Sequence, residues 1–192
     1  GYHPPAKRAI SPLLIRRLVN LDLEKKPALR FSRDMFLLSF YLRGIPFVDL
    51  VHLRKTDVKH NTIYYYRHKT RQQLSVHIES YAAQIKKCKK NEPASSPYLL
   101  LILSLTGEDG YRQYKSALRL YNQHLHTLSK MLRLSIPLTS YVARHSWATT
   151  AKDEGVAISV ISESLGHTSE KVTHVYLASF DNNAMSKANK NV

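Results

Sequence analysis

A single cysteine, Cys88, stands in the whole chain of 192 residues. No disulfide can close within the chain, and with no histidine or asparagine motif around it Cys88 is a poor candidate for a nucleophilic thiol; such usage fits a reducing cytoplasm. Acid is almost as scarce. Fourteen Asp and Glu face 29 Lys and Arg, and those few carboxylates recur at no spacing that would hold a metal, which speaks against a metal-dependent nuclease or transposase. No apolar run approaches the ~20 residues of a bilayer-crossing helix, and no secretory signal pattern is present. The chain opens Gly1-Tyr2-His3-Pro4-Pro5 without a methionine and reads as a piece of something longer.

What the sequence does have is positive charge. The formal net charge is +15, spread along the chain instead of gathered in a tail, and the natural partner of such a surface is a polyanion, most commonly nucleic acid. The length suits one large or two small domains with a sizeable core. Residues 1–10 read as a basic, proline-containing linker. Ser11-Pro12 then supplies the N-cap and first position of a helix to about Leu21, with Arg16 and Arg17 outward. Pro27 lies in a turn region, and Ser32 is expected to cap a second helix from Arg33 to about Gly44, so apolar that it belongs in the core. Pro46 starts a short third helix to Leu53, in which Asp49 has a structural look.

From Thr62 to Ile78 the period changes from helical to alternating. Ile63-Tyr64-Tyr65-Tyr66 and Leu74 to Ile78 read as two strands joined by the polar span Arg67 to Gln73, with Lys69 near the tip. A lysine-rich helix is expected from Glu79 to about Asn91, followed by a polar loop, and Tyr98 to Leu105 resists assignment. Tyr111, Tyr114, Leu118, Tyr121, Leu125, Leu128 and Leu132 then recur at intervals of three and four, the stripe of a long amphipathic helix. Its other face carries Arg112, Arg119, Lys130 and Arg133, either solvated or lying on a duplex.

The densest chemistry falls between Leu138 and Leu177. Arg144 sits in an apolar helical pattern expected to open at the N-caps Thr139 and Ser140 and to close at Gly155. A shorter helix, from about Ile158 to Leu165, stops at Gly166 and leaves His167 just past its end, nine residues before Tyr176. A phenol with a pKa near ~10 is a weak nucleophile unless cations or hydrogen bonds assist it. A planar arginine fork and a histidine donor suit the oxygens of a phosphodiester as charge gathers on them. Each residue alone has a commonplace structural reading; the order and spacing together do not.

That block, ARHSWAT then LGH then Tyr176, together with RHKT around Lys69, resembles the catalytic domain of the tyrosine recombinases, the phage-integrase family, and in its LRG…F-x-D form a mobile-element branch of it. The resemblance implies an α+β, mainly helical domain over residues 11–192 with a small antiparallel sheet or hairpin, lacking the separate N-terminal DNA-binding domains of full integrases. It implies a DNA strand transferase that needs no metal and no cofactor. Tyr176 would be the nucleophile, Arg144 and His167 the phosphate-binding groups, and Lys69 the acid that protonates the departing 5′ oxygen. It further implies double-stranded DNA at attachment sites as partner, self-association on DNA as a tetramer, accessory DNA-bending proteins, a role in integrating and excising a mobile element, and a bacterial, cytoplasmic, DNA-associated location with no membrane.

Two positions depart from the family pattern. The place of the first catalytic arginine, three residues before Asp49, holds Pro46, so Arg43, one helical turn earlier, is the candidate substitute. The place of the histidine three residues before Arg144 holds Tyr141, which can hydrogen-bond but is a far poorer proton acceptor. These departures leave open a second reading, a catalytically silent DNA-binding or regulatory domain of the same fold. The residues after Tyr176, among them Leu177, Phe180, Ala184 and Met185, would either dock on a neighbouring subunit or fold back on their own core.

Overall fold

The computed structural model describes residues 9–80 and 96–177. The expected lysine-rich helix, Cys88, residues 1–8 and the tail beyond Leu177 lie outside them. Six helices and a three-stranded sheet are described: α1 (Pro12–Val19), α2 (Pro27–Tyr41), α3 (Phe47–His52), a 3₁₀ turn (Lys55–Asp57), β1 (Val58–Lys59), β2 (Thr62–Tyr66), β3 (Gln73–His77), α4 (Gly107–Met131), α5 (Val142–Asp153) and α6 (Ile158–Leu165). Residues 170–177 are helical as well. The fold is mainly α-helical with a small antiparallel sheet, as the resemblance implies.

Helix α2 is the axis. Met35, Phe36 and Leu37 are completely buried, and the helix packs against α1, α4 and α5. It begins earlier than expected. Pro27 takes the first helical position, where its missing N–H costs nothing, so Ser32 lies inside the helix instead of capping it. The buried Ser32 hydroxyl is hydrogen-bonded to Nδ1 of His124 on α4 at 2.8 Å, a tertiary use of a residue whose local preference is a cap. At the other end α2 stops at Tyr41, short of Gly44.

Ser11 caps α1 as its sequence suggests, accepting from the Leu14 N–H. Ala9 and Ile10, expected to be linker, are buried, and the Ile10 N–H donates to Ser146 Oγ on α5 at 2.9 Å. The stripe of α4 is buried from Tyr121 to Leu132, while Tyr111 at its start is 61% exposed. Phe47 of α3 stacks on Tyr121 with centroids 4.6 Å apart. The unassigned segment near 98–105 is irregular, anchored by buried Leu100 and Leu103.

The sheet runs β1-β2-β3, all antiparallel, with Ile63 opposite Val76 and Tyr65 opposite Leu74. All four of those side chains are buried while Tyr64 and Tyr66 face out, the alternation that pins a hairpin's register. Thr139 and Ser140 do not cap α5. Tyr141 occupies the cap position without a side-chain cap bond, and the Ser140 N–H is taken by Asn122 Oδ1 on α4. Gly155 does end α5 in the left-handed region, at φ +80. Among the described residues no helix is long and apolar enough to cross a membrane.

Candidate active site

Arg144 is buried and held by two backbone carbonyls. It lies on the first turn of α5, 3% exposed. Its guanidinium donates to the carbonyl of Gly44 at 3.0 Å and to that of Leu165, the last residue of α6. These two bonds join three segments around one side chain. They use two of its five N–H groups and leave the others for a ligand. Gly44 is required for this approach: at φ +69 it is left-handed, and a Cβ there would stand 2.8 Å from Arg144 Cα. No carboxylate pairs with Arg144 among the described residues. Burial, and next the charge of Arg67, lower its pKa from the ordinary value, so the site holds an unneutralised cation in a poorly solvated place.

Past α6, Gly166 adopts φ +63 as the C-cap, and a Cβ there would meet Arg67 Cγ at 2.8 Å. The chain turns, and His167 Nδ1 comes to 2.7 Å from Oγ1 of the buried Thr173. Burial, followed by Arg144, Arg67 and Lys69 in that order, pushes the His167 pKa down from 6.5 to about 4. The ring is neutral at pH 7. Tyr176 follows Thr173 by three residues on helix 170–177, and its ring meets that of His167 edge to face at 5.6 Å between centroids. The Tyr176 hydroxyl is enclosed, and it is one of the groups acting electrostatically on Arg144. Arg144, His167 and Tyr176 are thus brought together. A small apolar cluster of Ala148, Ala151, Ile161, Leu165 and Leu177 fastens the tyrosine helix to α5 and α6. Leu177 therefore folds back on its own core.

Lys69 sits at the exposed tip of the β2–β3 hairpin. Thr70 Oγ1 donates to the Gly166 carbonyl at 3.2 Å, which ties the tip to the segment carrying His167 and brings Lys69 close enough to act on that ring. Tyr141 is 46% exposed at the start of α5, with its ring edge-on to Tyr176 at 6.3 Å. Pro46 is the N-cap of α3, with the Leu50 N–H bonded to its carbonyl. Arg43 is not on a helix running through to Asp49, because α2 has already ended and Arg43 itself takes φ +58. Its side chain is exposed, no carboxylate pairs with it among the described residues, and it stands beside the Gly44 that touches Arg144. Its charge reaches the buried phenol of Tyr65, as do those of Arg144 and Arg67.

Arg67 is the residue that the sequence reading passed over. Only 7% exposed, it pairs with Asp49 at 2.8 Å, while the other oxygen of Asp49 accepts the His68 N–H at 2.8 Å. Asp49 is structural, as its setting suggested, and this fixed carboxylate aims the arginine. Arg67 then acts electrostatically on both Arg144 and His167. One signal pointed to it: Arg67 continues the alternation of Ile63 and Tyr65, the residues of β2 that face inward.

The chain matches the Phage integrase family over residues 16–183 and belongs to that family. It is 27% identical over 176 residues to the tyrosine recombinase XerA of Thermococcus kodakarensis, an alignment covering 90% of this chain and 60% of the relative. In fold it is similar to a crystal structure of XerA recombinase, with a TM-score of 0.68 at 17% identity, over all of this chain and 66% of the other. It is also similar to the Tn1549 transposon integrase in complex with a circular intermediate DNA, with a TM-score of 0.66 at 15% identity, over 88% of this chain and 61% of the other. The chain spans about two thirds or less of the length of these relatives.

Proposed function

We propose that this chain is the strand-cutting domain of a site-specific DNA recombinase, acting at attachment sites to integrate and excise a mobile element. The observation that carries the proposal is Arg144: a buried guanidinium with no carboxylate partner among the described residues, next to the enclosed hydroxyl of Tyr176 and the neutral ring of His167. Burying an unpaired cation is costly unless an anion arrives to share the site. A scissile phosphate is that anion.

In the proposed reaction Tyr176 Oη attacks phosphorus. A bond from phosphorus to the phenolic oxygen forms, the bond to the 5′ oxygen breaks, and Lys69 gives that oxygen its proton. The 3′ end stays on the protein as a phosphotyrosine, and a 5′-hydroxyl from another strand reverses the step, so no external energy is consumed. In the tautomer this reaction requires, Thr173 donates to Nδ1 and His167 presents Nε2–H to a non-bridging oxygen. The phenolic proton leaves to solvent and passes neither to His167, which is held well below its ordinary pKa, nor to Tyr141, a phenol. The charges of Arg144, Arg67 and Arg43 must therefore lower the cost of the developing phenolate. Arg67, aimed by Asp49, supplies from the hairpin the second arginine that Pro46 cannot, and Arg43 stands at the mouth. Self-association on DNA as a tetramer, help from DNA-bending proteins and a cytoplasmic place on bacterial DNA complete this reading.

The proline at position 46 favours the rival reading of a silent DNA-binding domain. Incubation with a nicked duplex in chelator, followed by denaturing electrophoresis, separates the two. A covalent protein–DNA adduct that vanishes in Tyr176→Phe while DNA binding persists supports the recombinase. Binding without adduct in the unaltered chain supports the silent domain.

A further inference from the structure

Consecutive residues on a helix point about 100° apart, so the turn of α5 that directs Arg144 toward Gly44 and Leu165 directs His145 elsewhere. His145 lies face to face with the Tyr176 ring, centroids 4.3 Å apart and planes 14° from parallel. It is 5% exposed. Tyr141, one helical turn earlier and hence on the same face, makes a T-shaped contact with His145 at 4.5 Å, and the rings of Tyr141 and His167 stand at 80° and 73° to that of Tyr176. Among the described residues three rings bound that of Tyr176, and of these His145 lies parallel to it.

We propose that His145 is a positioning residue: its ring, stacked on Tyr176, sets the orientation from which the tyrosine hydroxyl of the same chain reaches the phosphate held by Arg144. Tyr176 reaches the site on a helix joined to α6 by only a few residues, and a phenol on such a helix has several staggered side-chain orientations open to it. Thr173 and Leu177 fix the helix, not the ring. Stacked aromatic faces restrict that freedom through the ring and not through the hydroxyl. Because His145 follows Arg144 directly on a rigid helix, nucleophile and phosphate-binding group are registered to each other by one backbone, before any DNA or second subunit is present. The role belongs to the face of the ring, not to proton transfer.

The inference rests on Tyr176 being the nucleophile, and the test separates the two. Single-turnover adduct formation is measured at saturating nicked duplex for the full chain, with affinity taken from gel shifts, on an ordinary substrate and on one with sulfur at the 5′ bridging position, which departs without an acid. His145→Ala and His145→Leu, which lack the ring face, are expected to form adduct about 10- to 100-fold more slowly at unchanged affinity, the scale of a misplaced reacting group. The bridging sulfur should not restore them, although it should restore Lys69→Ala. His145→Phe, which keeps a flat face, is expected to stay close to the unaltered rate. The proposal is overturned if both ring-less variants cleave normally, if His145→Phe is as slow as they are, or if sulfur rescues them. An adduct that survives in Tyr176→Phe would instead sink the assignment of the nucleophile. Loss of fold in His145→Ala, seen in a thermal melt, leaves the comparison of Leu with Phe to decide.

Discussion

Residues 138–177, with Arg144, His145, His167 and Tyr176, and residues 42–78, with Arg43, Asp49, Arg67 and Lys69, bring cationic and polar groups to one centre by different means. In the first region each group stands at a helix start, a helix end or on a helix, and the segments between are short. In the second, the groups stand on a turn between helices, on the short helix α3, just past the end of β2 and on a hairpin tip, and they meet the first region through tertiary bonds: Gly44 to Arg144, and Thr70 to Gly166. Spacing along the chain governs the one. Docking of a sheet onto a helix end governs the other, and it leaves room for the proposed substitution, in which Arg67 serves for the arginine that Pro46, twenty-one residues earlier, cannot supply.

Arg144→Ala should do most to break this arrangement, since it removes the group that both regions share. Adduct formation is expected to fall by at least ~10³-fold, beyond the loss of a single charge-stabilising donor, and the carbonyls of Gly44 and Leu165 would be left without their partner at about 1–3 kcal/mol each. Near-normal cleavage on a denaturing gel would remove Arg144 from the site. Next in size is Asp49→Ala, which strands a buried Arg67. Urea denaturation should show a loss of about 3–5 kcal/mol, and replacing Arg67 by Met in the same chain should return part of it, because a buried pair is costlier to break than to remove. A double variant no more stable than Asp49→Ala alone would mean that the carboxylate acts mainly through the His68 N–H.

The two candidates for the missing arginine are ranked by burial. Arg67→Gln is expected to slow cleavage by about 10²–10³-fold. Arg43→Ala, at an exposed and more screened position, should cost nearer ~10-fold. The reverse order in single-turnover assays would return the role to Arg43.

The smallest effect is one of pH. The folded His167 titrates near 4 and the unfolded one near 6.5, so between those values the unfolded chain binds the proton that the folded chain does not. Stability from this group is therefore complete above about pH 6.5 and declines as pH falls toward 4. The ring is only half-buried, and solvent screening keeps the slope shallow. His167→Gln should flatten that part of the acid slope relative to the unaltered chain; identical slopes in the two would show that His167 is not held neutral.

How much of this was legible follows from the same contrast. The ends of α5 and α6 could be read because Gly155 and Gly166 occupy left-handed positions that a glycine adopts freely. The hairpin could be read from alternation. The start of α2 was misread because the cap preference of Ser32 is a local energy of about a kcal/mol, and its burial against His124 overrides it. Arg67 was missed because an arginine beside a lysine at a hairpin tip looks like any solvated charge until Asp49 is seen under it.

By itself the sequence determined the basic charge that calls for a polyanion, the helical periods, and the order of Arg144, His167 and Tyr176, since these are properties of composition and of spacing within short, stiff segments. Only the tertiary structure decided that Arg67 is buried and aimed by Asp49, that Arg43 is left at the surface by a positive-φ turn, and that His145 lies flat on Tyr176. Each of these depends on which surfaces of distant segments come into contact, and a contact of that kind is set by packing of the whole core and not by the residues on either side of it in the chain.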